Sequence, residues 1–153
     1  MPHCDTRYFG RLEYSETAVV EFPEGLPGFP LEKRFVLVEP ATHHPLVFLQ
    51  SLTSDALCFL AVPVQCVVPG YRLSLSAEEL ALLGLSPEAE PRIGRDVLCL
   101  AIVFVGEDGS VTANLLAPVV IHLATRRALQ CVPADPVYPL RYPMAAPEAA
   151  PCS

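Results

Sequence analysis

Nucleophilic chemistry is the first possibility to examine, because six cysteines and four histidines are spread along the chain. A serine or cysteine nucleophile needs a histidine base within hydrogen-bond reach. Cys4 follows His3 and Cys131 lies beyond His122, but no serine, including Ser51 and Ser54, lies in a GxSxG turn. His122 belongs to an alternating apolar run, where a hydrogen-bonded or outward-facing histidine is more common than a catalytic base. The pattern does not favour a nucleophilic enzyme.

Other kinds of reactive site lack their usual spacing. Metal ligands normally come in closely spaced pairs, and the chain has no CxxC pair. Glu78 and Glu79 are adjacent, but at the start of a predicted helix their charge complements the helix dipole. Gly25 and Gly28 lack the GK[ST] sequence and the following helix of a phosphate loop. We therefore expect no catalytic residue, no metal site and no cofactor.

The charge balance argues against nucleic acid as a direct partner. The formal net charge is −7, and Lys33 is the only lysine. Such a chain is repelled by phosphate backbones and attracted to basic proteins. It also lacks tryptophan, and its few aromatic residues do not form the stacking platform of an RNA binder. Most commonly, however, a net charge of this size only keeps a protein soluble.

The chain also lacks segments that would direct it to a membrane. Its longest nearly uninterrupted apolar stretch, residues 97–105, is about half of the ~20 residues that a membrane helix needs. The first residues lack the basic start and apolar core of a secretion signal. We therefore expect a cytoplasmic protein with reduced cysteines, of which Cys58, Cys99 and Cys131 lie buried in apolar runs.

The elements that must carry these residues have the pattern of β-strands. A chain of 153 residues predicts one domain. Short runs of Val, Leu, Ile and Phe are separated by Pro, Gly and Asp clusters, which is typical of antiparallel sheets. This pattern predicts an all-β, mostly antiparallel, small barrel-like domain over residues 1–144. The predicted strands are 6–14, 18–22, 34–39, 46–52, 58–62, 71–75, 97–105, 111–115, 119–123 and 128–132.

One segment departs from the β pattern and predicts a single short helix over residues 77–83. Ser76 is a suitable N-cap, Glu79 stands at the third helical position, and Gly84 can end the helix. Leu80 and Leu83 would face the core and close one open end of the barrel.

The C-terminal segment changes composition. From residue 133 onward prolines alternate with small residues, and proline cannot donate to a sheet ladder. We expect this segment to run along the surface or hang free, and residues 145–153 to form a disordered Pro/Ala-rich tail.

Several distinctive motifs remain that no chemistry explains. They are YFG at residues 8–10, FPEGLPGF at 22–29, FVL at 35–37, FLQS at 48–51, LLGL at 82–85, TANLLAPVVI at 112–121 and YPLRYP at 138–143. In this order they resemble the FliW family of flagellar assembly factors, from about residue 6 to about residue 144.

The resemblance implies a mostly antiparallel barrel-like fold and two mutually exclusive partners. These are flagellin and CsrA, an RNA-binding translational repressor. In the family, FliW binds newly made flagellin as a chaperone would; when flagellin is exported, the freed FliW binds CsrA, which then releases flagellin messenger RNA. The resemblance therefore implies regulation of translation by binding, without catalysis.

Four residues of these motifs are predicted to lie in or beside the partner-binding surface: Leu26, Phe29, Asn114 and Leu116. Exposed apolar residues in a loop stiffened by prolines lose little entropy on binding, which favours the first two. Asn114 is a polar residue in a predicted strand. Its amide satisfies neighbouring backbone groups more often than it contacts a partner, so both roles stay open.

One departure from the family and two rival functions also stay open. Pro63 follows Val62 directly where the family has an Asp-Pro step, which puts one partner contact in question. A closed sheet lined by apolar residues could bind a small ligand, which a co-purified molecule would reveal. A catalytic thiol at Cys131 or Cys66 would be revealed by rapid labelling at neutral pH.

Overall fold

The computed structural model describes residues 2–133 and 136–144, so the predicted disordered tail, residues 145–153, lies outside the described residues. The chain forms strands and short helices, in the following order. They are β1 (His3–Thr6), β2 (Gly10–Glu13), β3 (Val19–Glu21), β4 (Arg34–Val38), β5 (Val47–Ser51), β6 (Cys58–Pro63), α1 (Val64–Val67), α2 (Ala77–Leu82), β7 (Val97–Val105), β8 (Val111–Ala113), β9 (Val119–His122), β10 (Ala128–Gln130) and β11 (Tyr142–Met144). Two 3-10 turns, Glu16–Ala18 and Ala41–His43, complete the described elements. The all-β prediction is confirmed.

Nine of the strands form one antiparallel sheet. Its main path runs β10-β9-β7-β6-β5-β4-β3, and β8 pairs with β7 while β11 pairs with β8. Strands β1 and β2 form a separate hairpin. The long strand β7 therefore lies in the middle of the sheet and organises it.

Burial on both faces explains the uninterrupted apolar sequence of β7 over residues 97–103, whereas Phe104 and Val105 at its end are more than half exposed. Odd-numbered residues such as Cys99 and Ala101 belong to one core cluster, which also contains Val64 of α1. Leu100 belongs to a second cluster with Phe35 and residues of the other strands on the main path. Because side chains alternate along a strand, a strand buried on both faces must be apolar throughout.

Two shorter strands, β8 and β9, pair with the same edge of β7, one after the other. Val103 pairs with Ala113 of β8, and Leu100 pairs with Val119 of β9. Two residues of β7 lie between Leu100 and Val103, whereas five residues, 114–118, lie between Ala113 of β8 and Val119 of β9. We call residues 114–118 the bulge loop. It divides one long hairpin into an arm that pairs with β11 and an arm that pairs with β10.

The sheet curls but does not close into the predicted barrel. A single parallel bridge between Glu21 and Arg127 joins its two end strands, and the Glu21 N–H donates to the Arg126 carbonyl at 2.9 Å. The chain then turns away, since the Phe22 N–H donates to the Lys33 carbonyl at 2.7 Å. Pro23 follows and has no N–H with which to extend the ladder. Within the described residues the result is an open, curled sheet.

The predicted helix is confirmed as α2. The Ser76 side chain accepts from the Glu79 N–H, while the Glu79 carboxylate accepts from the Ser76 N–H, which is a complete capping box. Leu80 and Leu83 are buried as predicted, and Gly84 has a positive φ of 82°. The prediction of a single helix is incomplete, because α1 adds one turn directly after β6.

Three predictions about the strands need correction. The expected strand 6–14 is the hairpin β1–β2, because the chain reverses over residues 7–9 and enters β2 at Gly10, where φ is 64°. Residues 71–75 form no strand, although Tyr71 packs on the first core cluster. The segment after residue 133 does not merely run along the surface. It contributes β11, in which Pro143 is tolerated because this strand lies at an edge of the sheet.

Candidate functional site

The loop of residues 23–30 is held in a fixed shape by its own backbone. The Leu26 N–H donates to the Phe29 carbonyl at 3.2 Å, and the Phe29 N–H donates to the Leu26 carbonyl at 2.7 Å. At Gly25 φ is 69°, and a Cβ there would lie 2.6 Å from the carbonyl oxygens of Phe29 and Pro30. Only glycine fits this position.

The end of this loop is anchored to the sheet by a carboxylate. The Glu32 side chain accepts hydrogen bonds from Ser51 Oγ at 2.7 Å and from the hydroxyls of Thr53 and Ser54. The hydroxyls of Ser54, Thr53 and Ser51, in that order of effect, hold the pKa of Glu32 below its ordinary value. The charged form of Glu32 therefore fixes the chain just beyond the loop.

The two loop residues predicted to contact a partner lie in different environments. Leu26 is 3% exposed and belongs to the second core cluster, so the exposure predicted for it is wrong. Phe29 is 40% exposed and packs edge-on against Phe59, with ring centroids 5.8 Å apart. Its neighbour Leu31 is 86% exposed. Phe29 can thus meet a partner directly, whereas Leu26 supports the loop from below.

The loop forms one wall of a groove of about 420 Å³, which we call the β10 groove. The opposite wall consists of α2 and the strand β10. Its lining residues are Pro23, Glu24, Gly25, Leu26, Pro27, Gly28, Pro30, Glu79, Leu82, Ala128, Leu129, Gln130 and Val132. Of the four residues predicted to contact a partner, Leu26 is the one that lines this groove.

Carboxylates surround the outer end of the β10 groove. Glu21, Glu24, Glu78 and Glu79 line an adjoining depression that also contains Arg127. Arg34 forms ion pairs with Glu16 and Glu21, at 3.6 and 4.0 Å, but no ion pair within the described residues involves Glu24 or Glu78. This end of the groove is therefore acidic and suits a cationic side chain.

Glu79 joins the helix α2 to the chain beyond β10. One of its carboxylate oxygens accepts from the Ser76 N–H at 2.9 Å, and the other accepts from the Val132 N–H at 3.0 Å. Val132 itself is 71% exposed. Sequence reasoning recognised Glu79 only as a helix cap, since the second contact joins residues far apart in the chain.

The other two predicted residues lie in the bulge loop. Asn114 Oδ1 accepts from the Ala117 N–H at 3.0 Å, so this side chain shapes the loop, as the more common interpretation predicted. Leu116 is half-buried and lines a second groove, of about 240 Å³, together with Tyr71, Cys131 and Tyr138. The four predicted residues thus lie in two separate loops, and one residue of each loop, Leu26 or Leu116, lines a groove.

Cysteines and histidine in the described residues do not form a reactive site. Burial raises the pKa of Cys58 to about 11 and that of Cys99 to about 12. Burial and then the neighbouring Glu79 raise the pKa of Cys131 to about 12. Cys66 is disulfide-bonded, which contradicts the expectation that all cysteines are reduced.

The His122 side chain is held by one backbone and one side-chain contact. It is 9% exposed, and its Nδ1 lies 2.7 Å from the Leu83 carbonyl oxygen and 3.0 Å from Thr125 Oγ1. This arrangement ties the end of α2 to β9, and it confirms the interpretation of His122 as a hydrogen-bonded histidine.

Clusters of metal-ligating side chains and long apolar helices are both absent from the part of the chain that the structure describes. No three His, Cys, Asp or Glu side chains there lie close enough together to hold a metal ion. No helix there combines the length and apolar character needed to cross a membrane.

Comparison with known proteins identifies relatives along nearly the whole chain. The profile of the family described as "FliW protein" matches residues 3–144. The flagellar assembly factor FliW of Geotalea uraniireducens is 34% identical over 138 residues, covering 90% of this chain and 81% of the relative. The flagellar assembly factor FliW of Azoarcus sp. is 39% identical over 133 residues, covering 81% and 86%. That of Bacillus subtilis is 31% identical over 140 residues, covering 91% and 94%.

The fold agrees with these relatives. A crystal structure of the flagellar assembly factor FliW superposes with a TM-score of 0.79 at 29% identity, covering 97% of this chain and all of that one. Both the sequence and the arrangement of the strands are thus shared over the full described length. The chain belongs to the FliW family of flagellar assembly factors.

Proposed function

We propose that this chain works in the cytoplasm by binding flagellin and CsrA in turn, so that export of flagellin controls its synthesis. While flagellin is abundant, it occupies the protein. After export, the freed protein binds CsrA and relieves its repression of flagellin messenger RNA. The function needs two binding equilibria and no chemical step.

Membership in the family over residues 3–144 carries this proposal. The acidic charge of −7 supports it, because association with a basic RNA-binding protein is electrostatically assisted. The raised pKa values of Cys99 and Cys131 also support it, since both thiols stay protonated near neutral pH and are poor nucleophiles.

The open sheet bears on the rival ligand-binding function. A barrel that encloses a small molecule needs a closed wall and an empty interior. Here, within the described residues, one bridge joins the end strands, and Phe22, Phe35 and Leu49 are fully buried together in the second core cluster. No observation therefore favours a small ligand over a protein partner.

The test is calorimetry and co-elution with purified flagellin and purified CsrA from the same organism. We expect a complex with each partner and no ternary complex, so that saturating flagellin abolishes the heat of CsrA binding. Absence of binding to both partners would overturn the proposal, and simultaneous binding of both would overturn its switching step.

The predicted contact residues can be tested in the same assay. Phe29→Ala or Leu116→Ala should weaken binding of one partner by about tenfold, which corresponds to about 1.4 kcal/mol. The matched control is Phe104→Ala, because Phe104 is 60% exposed near the end of β7 and belongs to neither the loop of residues 23–30 nor the bulge loop. Equal effects of all three substitutions would remove these residues from the contact surface.

A further inference from the structure

The outer edge of β10 faces the β10 groove. The His122 N–H donates to the Arg127 carbonyl and the Cys131 N–H donates to the Pro118 carbonyl, each at 2.8 Å. Odd-numbered residues of this segment therefore bond to β9. In an antiparallel ladder the residues between them turn their N–H and C=O groups the other way, so the backbone of Gln130 points into the groove.

The neighbouring strand stops just before it would reach this edge. β3 begins to pair alongside β10 through the bridge between Glu21 and Arg127, but Pro23 ends the ladder, as described above. The loop of residues 23–30 then moves aside and forms the far wall of the groove. A space is left where the next strand residues would lie, beside the half-buried Gln130.

The side chains at the two ends of this space indicate which kind of segment would fill it. Val132, 71% exposed, and Leu82 offer apolar contacts at the groove, while Glu24 and Glu78 lie without ion pairs in the described structure at its acidic end. A segment that joins this edge would thus combine free backbone groups, an apolar side chain and a cationic side chain. Edge-strand addition is a common mode of peptide recognition.

We infer that a short extended segment of CsrA, carrying an arginine or lysine next to an apolar residue, adds to the edge of β10 at Gln130. This inference rests on the proposed function, and it selects CsrA because a basic RNA-binding protein complements the acidic end of the groove. The added strand spans about three residues, or about 10 Å, which matches the length of β10 itself.

Substitutions of Gln130 separate its backbone from its side chain. Gln130→Pro removes the outward N–H without removing a ladder bond to β9. We expect it to weaken CsrA binding about tenfold, as for the loss of one backbone hydrogen bond. Gln130→Ala is the matched control, because it also loses the side-chain bond to the Ala117 carbonyl but keeps the N–H. It should bind CsrA within about twofold of the wild type.

The charge of the groove is tested separately. Glu24→Gln and Glu78→Gln should each weaken CsrA binding and reduce its dependence on salt. Glu107→Gln, in the exposed loop between β7 and β8, changes the net charge equally but lies outside the groove. Equal effects of all three substitutions would show that only the overall charge matters and would overturn the assignment of this end of the groove.

Hydrogen exchange keeps the inference falsifiable even if Gln130→Pro does not fold. In the ¹⁵N-labelled wild type, the Gln130 amide should exchange at least about tenfold more slowly once CsrA is bound, whereas the Leu129 amide, bonded to β9, should be protected in both states. Unchanged exchange at Gln130 in a saturated CsrA complex would overturn strand addition and leave the proposed function standing. Failure of the wild type to bind CsrA at all would overturn the CsrA half of the proposed function and this inference with it.

Discussion

At the scale of single residues, burial decides the behaviour of the thiols. Cys99 is fully buried, and Cys131 is 1% exposed with its Sγ 3.3 Å from the Ser74 carbonyl oxygen. Removing a thiolate from water is costly, so both pKa values rise to about 12. These residues stabilise the core as small apolar groups.

The first prediction concerns the reactivity of these thiols. We expect Cys99 and Cys131 to remain unmodified by iodoacetamide at neutral pH in the folded protein, because only a very small fraction of each is thiolate. Peptide mass spectrometry before and after unfolding in urea measures this, with the unfolded protein as the control. Rapid labelling of Cys131 in the folded state would instead revive a catalytic role for this thiol.

The second prediction concerns alkaline pH. The ordinary pKa of a thiol is 9.0, and that of Cys99 in the folded protein is about 12. Above pH 9 the unfolded chain therefore loses this proton first, which stabilises the unfolded state. We expect the contribution of Cys99 to the free energy of unfolding to be fully present below pH 9 and to be lost as the pH rises toward 12. Urea denaturation at several pH values tests this, and a midpoint that stays constant up to about pH 10.5 would contradict it.

At the scale of the elements, the loop of residues 23–30 has one position that tolerates no side chain. Gly25 and Gly28 both have positive φ, of 69° and 84°. A Cβ at Gly25 would collide with two backbone oxygens, whereas one at Gly28 would meet nothing within 4 Å. Comparing a substitution at Gly28 with one at Gly25 therefore separates the cost of the left-handed backbone from the cost of a steric collision.

The third prediction compares these glycines. Gly28→Ala should cost about 1 kcal/mol of stability, from the left-handed backbone alone. Gly25→Ala should cost clearly more, and it should also weaken CsrA binding, because the loop must shift away from the β10 groove. Thermal denaturation and calorimetry measure the two effects. Equal losses for both variants would show that the collision at Gly25 is relieved without consequence.

Local patterns in the sequence predicted the interior elements well. β7 lies at residues 97–105 as predicted, and burial on both faces explains the apolar run over residues 97–103. The capping box of Ser76 and Glu79 likewise predicted where α2 begins. Both signals are contained within a few consecutive residues, so no knowledge of distant contacts was needed.

Features that depend on distant contacts were missed. β11 contains a proline that becomes acceptable only because the strand lies at an edge. The turn of residues 7–9 is local, but it has no Asn-Gly or Asp-Gly signature. Dependence on distant contacts also explains the candidate site. Leu26 is buried and Phe29 is partly exposed because the two side chains pack differently against the sheet. The contact of Glu79 with Val132 joins residues far apart in sequence.

At the scale of the whole molecule, a tyrosine pair holds the C-terminal segment on the sheet. The rings of Tyr71 and Tyr138 stack with centroids 4.2 Å apart, and the Tyr138 Oη accepts from the Arg72 N–H at 2.9 Å. Tyr71 Oη in turn donates to the Leu115 carbonyl at 2.6 Å, and the Leu115 N–H donates to the Pro139 carbonyl at 3.2 Å. Three separate parts of the chain thus meet at this point.

The fourth prediction tests this junction. Tyr138→Phe keeps the stacked ring and loses one hydrogen bond, so it should cost about 1 kcal/mol. Tyr138→Ala also loses the ring contact and should cost about 2 to 3 kcal/mol, with faster hydrogen exchange in β11. Denaturation curves and exchange rates together measure this. If the two variants were equally stable, the stacking would contribute nothing to holding the C-terminal segment.

The bulge loop has a consequence for how this fold can vary in length. One residue added beside Cys99 would send the later side chains of β7 to the opposite face, because the alternation along a strand has a period of two. One residue added beside Leu116 would only enlarge the loop, since the pairings of Val103 with Ala113 and of Leu100 with Val119 lie on either side of it. A change of length in this loop therefore preserves the register of both ladders, and its cost is confined to the loop's own contacts, such as the hydrogen bond from Tyr71 Oη to the Leu115 carbonyl.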